Sequence, residues 1–268
     1  MITEVLVNGI VSDGKIAVTD STVLRGDGCF EVLKSYGGQV FALDEHLERL
    51  QSSAEALEIT LPPTSDLAKW IQETAGKLED CAVRVVVTRG SSVPGVDGAP
   101  NVIVFGQSWS REGPVTRLGV VEAPWHAAGV DWELAGAKLT SYAPNLSATR
   151  RARSEGFDDA LLVTTDGVVL EGPTFSVAWV IDGVIETPGL DMGILDSITR
   201  RVVLREASRL NFHVVEGKWI VPRLNEATEM MAFSTIREVQ SVVEIGGLRM
   251  EPGPVTAALA ESFRSLVG

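Results

Sequence analysis

One lysine of this sequence has neighbours that could change its chemistry. Lys138 follows the small, apolar run Leu134–Ala137, whereas the other five lysines lie in polar or turn-forming stretches. A lysine in such a place either extends its ammonium group to water or is held away from water for a chemical role. Loss of water lowers the pKa of the amine and makes it a nucleophile that forms a Schiff base with a carbonyl group. The local sequence leaves both alternatives open, an ordinary lysine at a strand edge and a nucleophile.

A carboxylate stands at the end of a predicted strand. Glu171 directly follows the apolar run Val168–Leu170 and precedes Gly172 and Pro173. This order predicts a carboxylate at the rim of a sheet, where it could bind or orient a ligand. An exposed acid in a turn would have the same local sequence, so that alternative also stays open.

Three places could contribute to binding an anion. Ser197–Thr199 begins a predicted helix, whose free N–H groups and positive dipole end attract anions. Ordinary capping of the helix is the alternative for this segment. The hydroxyl pair Ser234-Thr235 follows an apolar, strand-like run. Arg49 lies at the boundary of the apolar stripe of a predicted helix, and this pattern alone predicts a solvated arginine.

Taken in order along the chain, these residues resemble the class IV aminotransferases, the fold-type IV enzymes that use pyridoxal 5′-phosphate. The segments that carry the resemblance are Arg25–Leu33, Phe41–Leu50, Lys138 with Tyr142 and Asn145, Gly156–Ala160, Asp166-Gly167, Glu171-Gly172, Thr187-Pro188 and Ile198–Arg200. Each segment alone is a weak signal, but their common order and spacing are specific. The resemblance extends over nearly the whole chain.

The resemblance implies a role for each candidate residue. Lys138 would bind the cofactor as a Schiff base and then move the α-proton of the substrate. Glu171 would keep the pyridine nitrogen protonated, so that the ring can accept electrons. The cofactor-binding residues that the resemblance implies are Arg49, Lys138, Tyr142, Glu171, Ser197, Ile198, Thr199, Ser234 and Thr235. Arg49, the helix start and the hydroxyl pair would hold the phosphate, and Tyr142 would contact the ring oxygen.

The substrate side of the resemblance is mixed. The D-amino-acid group usually has tyrosine where Phe30 stands, and its carboxylate-binding arginine–histidine pair is missing from Gly90–Pro100. The branched-chain group has phenylalanine at Phe30 and a substrate-side arginine at the position of Arg84. We therefore expect a ping-pong aminotransferase for a small or hydrophobic amino acid, of D or branched-chain type, and a 2-keto acid. The alternatives are an aminodeoxychorismate lyase, which often has a hydroxyl residue at Val32, an (R)-amine transaminase and a catalytically silent relative.

The composition disfavours several other classes of protein. Thirty-six acidic and 23 basic residues give a net charge of −13, which disfavours nucleic acid and anionic membranes as partners. No apolar run approaches the ~20 residues of a membrane span, and Met1–Val5 predicts no signal peptide. Arg25–Gly28 lacks a nucleotide-binding glycine pattern. The histidines have no ligand spacing, which predicts no metal site. Cys29 and Cys81 form no CxxC pair, which predicts a reducing, cytoplasmic location. Small-molecule partners are therefore expected, and the resemblance adds a homodimer.

An α+β fold is predicted to position these residues. A first helix is predicted from residue 44 to the prolines at 62 and 63, further helices at 65–78, 145–154, 198–210 and 255–266, and strands include 134–139 and 168–170. The predicted domains are 1–108 and 118–268, joined by a linker at 109–117, and the second domain carries Lys138. Together with the resemblance, this organisation implies the two-domain fold of fold-type IV enzymes similar to D-amino-acid aminotransferase.

Overall fold

The computed structural model describes residues 2–78, 80–91, 93, 98–109, 113–126 and 128–267. The chain divides into a first unit, Met1–Ser110 with Ala137–Tyr142, and a second unit, Arg111–Gly136 with Ala143–Gly268. Residues 110–112 of the predicted linker lie outside the described residues. The segment around Lys138 differs from the sequence-based division, because its backbone pairs with a strand of the first unit rather than with the second.

An antiparallel sheet forms the first unit. Over the described residues it has six strands in the order β2-β1-β6-β5-β3-β4. The strands are β1 Val5–Val7, β2 Ile10–Ser12, β3 Gly28–Tyr36, β4 Gln39–Val40, β5 Cys81–Thr88 and β6 Asn101–Ser108. The helices are α1 Ser21–Arg25, α2 Leu43–Ala56 and α3 Thr64–Ala75. Asn8 and Gly9 join β1 to β2 with positive φ at both positions, as a tight hairpin turn requires.

The alternation of side chains along β3 gives this strand two different faces. Cys29 and Leu33 are fully buried in the core, which also contains Leu50 of α2. Because successive side chains point to opposite faces, Glu31 faces α2 together with Cys29 and Leu33. Phe30 therefore points to the other face of the sheet.

A larger, mixed sheet forms the second unit. Its eight strands in the described residues follow the order β11-β10-β9-β12-β13-β7-β8, with β14 beside β13. The strands are β7 Val115–Glu122, β8 Asp159–Val163, β9 Ser176–Ile181, β10 Val184–Pro188, β11 His213–Gly217, β12 Glu229–Ser234, β13 Glu238–Ile245 and β14 Leu248–Arg249. The helices are α4 Ala143–Ser154, α5 Ile198–Arg209 and α6 Pro254–Val267. Fully buried Trp179, Met231 and Phe233 lie on its central strands.

Two of the predicted strands are wrong. Residues 134–139 form a turn followed by a single bridge between Leu139 and Cys29, because Gly136 adopts a left-handed φ of 72° that interrupts an extended chain. Residues 168–170 make only isolated bridges, since Val168 and Val169 pair with different partners. The sheets and helices confirm the α+β class. None of the helices in the described ranges has the length and apolar character needed to cross a membrane.

Replacing Gly9 by alanine should destabilise the first unit. The φ of Gly9 is +78°, and an added Cβ would lie 2.4 Å from the indole nitrogen of Trp70. Gly183 provides a matched control, because its φ is also +78° but a Cβ there would meet nothing within 4 Å. We expect Gly183→Ala to lower the free energy of unfolding by about 1 kcal/mol and Gly9→Ala to lower it by more. Chemical denaturation measures both, and equal losses would contradict a steric role of Trp70.

Candidate active site

The backbone of Lys138 is fixed from both sides. Phe30 N–H donates to the Lys138 carbonyl at 3.0 Å, and Lys138 N–H donates to Ser53 Oγ, also at 3.0 Å. Two residues later, Thr140 N–H donates to the carbonyl of Gly28 at 2.9 Å. These bonds attach the lysine segment to the start of β3 and to α2. The first unit therefore holds this lysine by hydrogen bonds to residues far from it in sequence.

Aromatic rings lie close to the amine of Lys138. Its Nζ is 4.6 Å from the ring centroid of Phe30 and 6.0 Å from that of Tyr142. The two rings meet edge to face, with centroids 5.4 Å apart. Lys138 is half-buried, so the rings remove part of the contact between its amine and water. This is a suitable setting for a nucleophilic lysine.

A buried ion pair holds Arg49, which is 8% exposed. The Glu31 carboxylate accepts hydrogen bonds from Arg49 Nε at 2.7 Å and Nη2 at 2.8 Å, and it lies 2.8 Å from His46 Nδ1. His46, Arg49 and Ser53 recur at three and four residues on α2, so they share one face of the helix. The helical pattern predicts a solvated Arg49. This prediction is wrong, because Glu31 compensates the arginine charge between β3 and α2.

The pKa values of this cluster follow from burial and from the arginine charge. Burial lowers the pKa of His46, which favours a neutral imidazole. Burial alone would raise the pKa of Glu31, but the Arg49 charge and the hydrogen bonds from Arg49 and His46 hold it far below its ordinary range. A neutral His46 next to an ionised Glu31 must donate its Nδ1 proton to the carboxylate. The guanidinium is thus fixed by a fully charged partner at neutral pH.

The opposite face of β3 carries the residues predicted on the substrate side. In the antiparallel ladder Phe30 pairs with Val86 and Val32 with Arg84, so these four side chains share one face. All four are half-buried. Lys34 follows on that face, but it is only 1% exposed, and its Nζ lies 3.1 Å from the ring centroid of Trp109. The aromatic ring therefore shields this ammonium group from water.

In the second unit, Glu171 is fixed by its backbone and by its side chain. Leu162 N–H donates to the Glu171 carbonyl at 2.8 Å, and Leu195 N–H donates to Glu171 Oε1 at 3.2 Å. Gly172 N–H closes a turn onto the Phe175 carbonyl at 2.7 Å. The Phe175 ring packs so closely on Gly172 that an added Cβ would lie 2.2 Å from it. Only glycine fits at this position, directly after the carboxylate.

The start of α5 and the end of β12 present the predicted anion-binding groups. Ser197 caps α5, and its Oγ accepts from Arg200 N–H at 3.3 Å. Ile198 and Thr199 occupy the first turn, where N–H groups have no partner within a helix. Ser234 Oγ accepts from Arg237 N–H at 3.2 Å, which leaves the hydroxyl proton of Ser234 for another acceptor. Thr235 follows in the turn and is half-buried.

The structure sorts the predicted site residues into two groups. The first unit holds Phe30, Arg49, Arg84, Lys138 and Tyr142, and the second holds Glu171, Ser197, Ile198, Thr199, Ser234 and Thr235. Sequence reasoning gave no role to Glu31, His46, Ser53 or Arg237. The spacing of polar residues from His46 to Ser53, beside the apolar stripe of α2, is the sequence signal that could have indicated His46 and Ser53. In the described part of the chain, no group of three or more His, Cys, Asp or Glu residues is placed to hold a metal ion.

The donor set fits a phosphorylated pyridine aldehyde. The set contains an amine of the kind that reacts with an aldehyde, a carboxylate suited to the ring nitrogen, and an arginine, a helix start and two hydroxyls suited to a phosphate dianion. Arg49 is buried with two of its donors on Glu31, so its planar guanidinium has a defined direction.

Replacing Glu31 by glutamine should lower the free energy of unfolding by about 3 to 5 kcal/mol at pH 7, because the Arg49 charge would be buried without its partner. Folding lowers the pKa of Glu31, so its contribution is present above the ordinary carboxyl pKa of ~4.3 and is lost as the pH falls below that value. Denaturation curves of wild type and variant should therefore converge in acid. Glu48→Gln, at an exposed position of α2, is the control, and a difference independent of pH would contradict the ion-pair role.

Comparison with known proteins identifies the family. The model of the amino-transferase class IV family matches residues 28–245. The chain is 31% identical, over 95% of its length and 92% of the relative's, to a putative branched-chain-amino-acid aminotransferase of Methanocaldococcus jannaschii. It is 28% identical to the D-alanine aminotransferase of Staphylococcus epidermidis, over 99% of this chain and 98% of that one.

Solved structures show the same similarity. The branched-chain aminotransferase of Thermoproteus uzoniensis, solved with norvaline, has a TM-score of 0.89 at 28% identity and covers 100% of this chain and 95% of its own. A fold IV-transaminase of Curtobacterium pusillum has a TM-score of 0.85 at 28% identity, with coverage of 96% and 93%. These matches confirm the predicted fold type. The chain belongs to the class IV aminotransferases, a family of pyridoxal-phosphate-dependent transaminases.

Proposed function

We propose that this chain binds pyridoxal 5′-phosphate at Lys138 and transfers the amino group of a small or hydrophobic amino acid to a 2-keto acid by a ping-pong mechanism. The observation that carries the proposal is the fixed position of Lys138. Its backbone is bonded to Phe30 and Ser53, and its amine lies beside two aromatic rings. A lysine held in this way suits repeated covalent attachment and release.

The roles of the residues follow from their chemistry. When bound, the cofactor supplies a carbonyl for amines and a ring that accepts electrons. Lys138 Nζ would hold the cofactor and would serve as the base that moves the α-proton of the substrate. Glu171 would hold a proton at the ring nitrogen, and Tyr142 would contact the ring oxygen. The phosphate would be held by Arg49, Ser197, Ile198, Thr199, Ser234 and Thr235.

The face of β3 that carries Phe30 supports an apolar substrate with a carboxylate. Phe30, Val32 and Val86 offer half-buried apolar surface on the side of the sheet where the amine of Lys138 lies over Phe30. Arg84, opposite Val32, is a cation on the same face that suits a carboxylate. The names of the relatives, which include branched-chain and D-alanine aminotransferases, agree with an apolar amino acid of either configuration.

Two alternatives have less support on this face. An (R)-amine transaminase acts on amines without a carboxylate and would have no use for Arg84. An aminodeoxychorismate lyase often has a hydroxyl residue where this chain has Val32, which offers only methyl groups. Transamination of an apolar amino acid is therefore the better fit to these residues.

The absorption spectrum of the protein with pyridoxal phosphate tests the proposal. We expect a visible band from the lysine-bound cofactor, because Lys138 is positioned to form it. Addition of D-alanine or L-leucine, in separate experiments, should replace this band by that of pyridoxamine phosphate with one of the two. The responding amino acid then gives the stereochemistry of the substrate.

Variants make this experiment specific. Lys138→Ala should lack the visible band and multiple turnover, whereas Lys69→Ala, at an exposed position of α3 with 68% of its side chain accessible, should retain both. A lysine-bound band in Lys138→Ala would contradict the assignment of this residue. A wild-type band that ignores both amino acids but responds to a chiral amine without a carboxylate would favour the amine transaminase.

The proposal includes a homodimer in the cytoplasm. The first unit exposes large apolar side chains at Ile10, Val18 and Val23, with 73%, 76% and 56% of their surface accessible, and a second copy of the chain would cover such a surface. Cys29 and Cys81 are both buried and free, as expected in a reducing compartment.

Sedimentation equilibrium tests the oligomeric state. We expect a mass of about twice the 28.7 kDa of one chain, because apolar surface is removed from water when two copies associate. Val18→Glu, which places a charge on the exposed surface, should shift the equilibrium toward the single chain. A wild-type mass of one chain at micromolar concentration would contradict the homodimer.

A further inference from the structure

A second buried charge lies on the turn between β12 and β13, at Arg237. Ser234 at the end of β12 pairs with Glu238 at the start of β13, and residues 235–237 form the turn between them. The side chain of Arg237 is only 9% exposed. Burial of a charge costs free energy, so an arginine in this place needs charged or hydrogen-bonding partners that offset the cost.

The side chain of Arg237 ties its turn to a distant strand. Nη2 donates to Asp159 Oδ2 at 2.7 Å, and Nη1 donates to Gln240 Oε1, also at 2.7 Å. Asp159 begins β8 and is itself fixed, since its Oδ1 accepts from Thr149 Oγ1 of α4 at 2.8 Å. The turn that carries Ser234 and Thr235 is therefore anchored to β8 and α4, which adjoin neither of its own strands.

The same guanidinium also touches the segment that follows Glu171. Its central carbon lies 4.5 Å from the ring centroid of Phe175. That ring covers Gly172, and the backbone of Phe175 closes the turn to Gly172 N–H. Gly172 is the next residue after Glu171 in the chain, so the arginine packs on the turn that sets the direction of the Glu171 carboxylate.

Arginine is suited to all three contacts at once. Its planar guanidinium can stack on a ring while its edges donate in two directions, whereas the compact ammonium of lysine can satisfy the carboxylate only. Buried ion pairs contribute little net stability compared with apolar side chains, and their best-attested use is to fix one arrangement of neighbouring elements.

We propose that Arg237 is a positioning residue that holds the Ser234-Thr235 turn and the Gly172–Phe175 turn in one fixed arrangement, so that the second unit presents its phosphate-binding hydroxyls together with Glu171. The inference rests on the proposed binding of pyridoxal phosphate by these residues. Arg237 itself contacts Asp159, Gln240 and Phe175, and it acts on the cofactor through the two turns.

The test compares the affinities of Arg237→Lys for pyridoxal phosphate and for pyridoxal, which lacks the phosphate. Lysine retains a charge for Asp159 but loses the stacking and the second donor direction. We expect the affinity for pyridoxal phosphate, measured by titration of the visible band, to fall about tenfold or more. The affinity for pyridoxal should also fall, but less, because pyridoxal uses Glu171 and makes no use of the Ser234-Thr235 hydroxyls.

Arg223→Lys is the matched control. Arg223 also pairs with a carboxylate, Glu186, and lies over an aromatic ring, Trp219, in the same unit, but it contacts neither turn through these groups. Its replacement should leave both affinities unchanged. A purely structural role of Arg237 predicts a lower melting temperature with wild-type affinities below the transition, and that result would overturn the inference. Equal losses for pyridoxal phosphate and pyridoxal would also overturn it.

Two further outcomes keep the inference separate from the proposed function. A wild-type protein without a lysine-bound band would contradict the binding of the cofactor itself, whatever Arg237 does. If Arg237→Lys unfolds at the assay temperature, the paired change Asp159→Asn with Arg237→Gln leaves no buried charge at this place and is titrated in the same way. Retention of wild-type selectivity for the phosphate in the paired variant would then overturn the positioning role.

Discussion

The ion pair between Glu31 and Arg49 sets the arrangement of the first unit around its candidate site. An arginine that is 8% exposed is stable only with a charged partner, and β3 supplies that partner because its alternation directs Glu31 toward α2. The same alternation directs Phe30 to the other face, where it contacts Lys138. One strand therefore positions both the cation proposed for the phosphate and the ring beside the proposed nucleophile.

The second unit uses the same physical solution with different elements. Arg237 is neutralised by Asp159 as Arg49 is by Glu31, and each ion pair has a further polar partner: Gln240 accepts from Arg237, and His46 lies at hydrogen-bond distance from Glu31. In the first unit the buried arginine is itself proposed to bind the phosphate, whereas in the second unit it lies on the turn that carries the proposed phosphate-binding hydroxyls. A buried charge that is fully partnered has few alternative positions, so such pairs give definite directions to the groups around them.

Local sequence patterns predicted the features that depend on residues near in sequence, such as the ends of helices. The spacing of apolar residues gave the start of α2 and both ends of α5 to within one residue, and of the two candidate caps of α5, Asp196 and Ser197, the structure uses Ser197. The same patterns failed where a residue distant in sequence determines the environment of a side chain. The helical pattern predicts a solvated Arg49, because Glu31, which pairs with it, lies on a strand outside the helix. The order and spacing of motifs identified the family, since they depend on the whole chain.

The placement of residues 137–142 with the first unit gives the chain an interleaved path, which leaves one unit and returns to it before finishing the other. Neither unit is a continuous piece of sequence, so a fragment ending near residue 110 would lack the segment that pairs with β3. The contact between Lys138 and Ser53 spans 85 residues of chain. During synthesis, the first unit must therefore wait for the lysine segment to leave the ribosome, and its completion is a late, non-local event in folding.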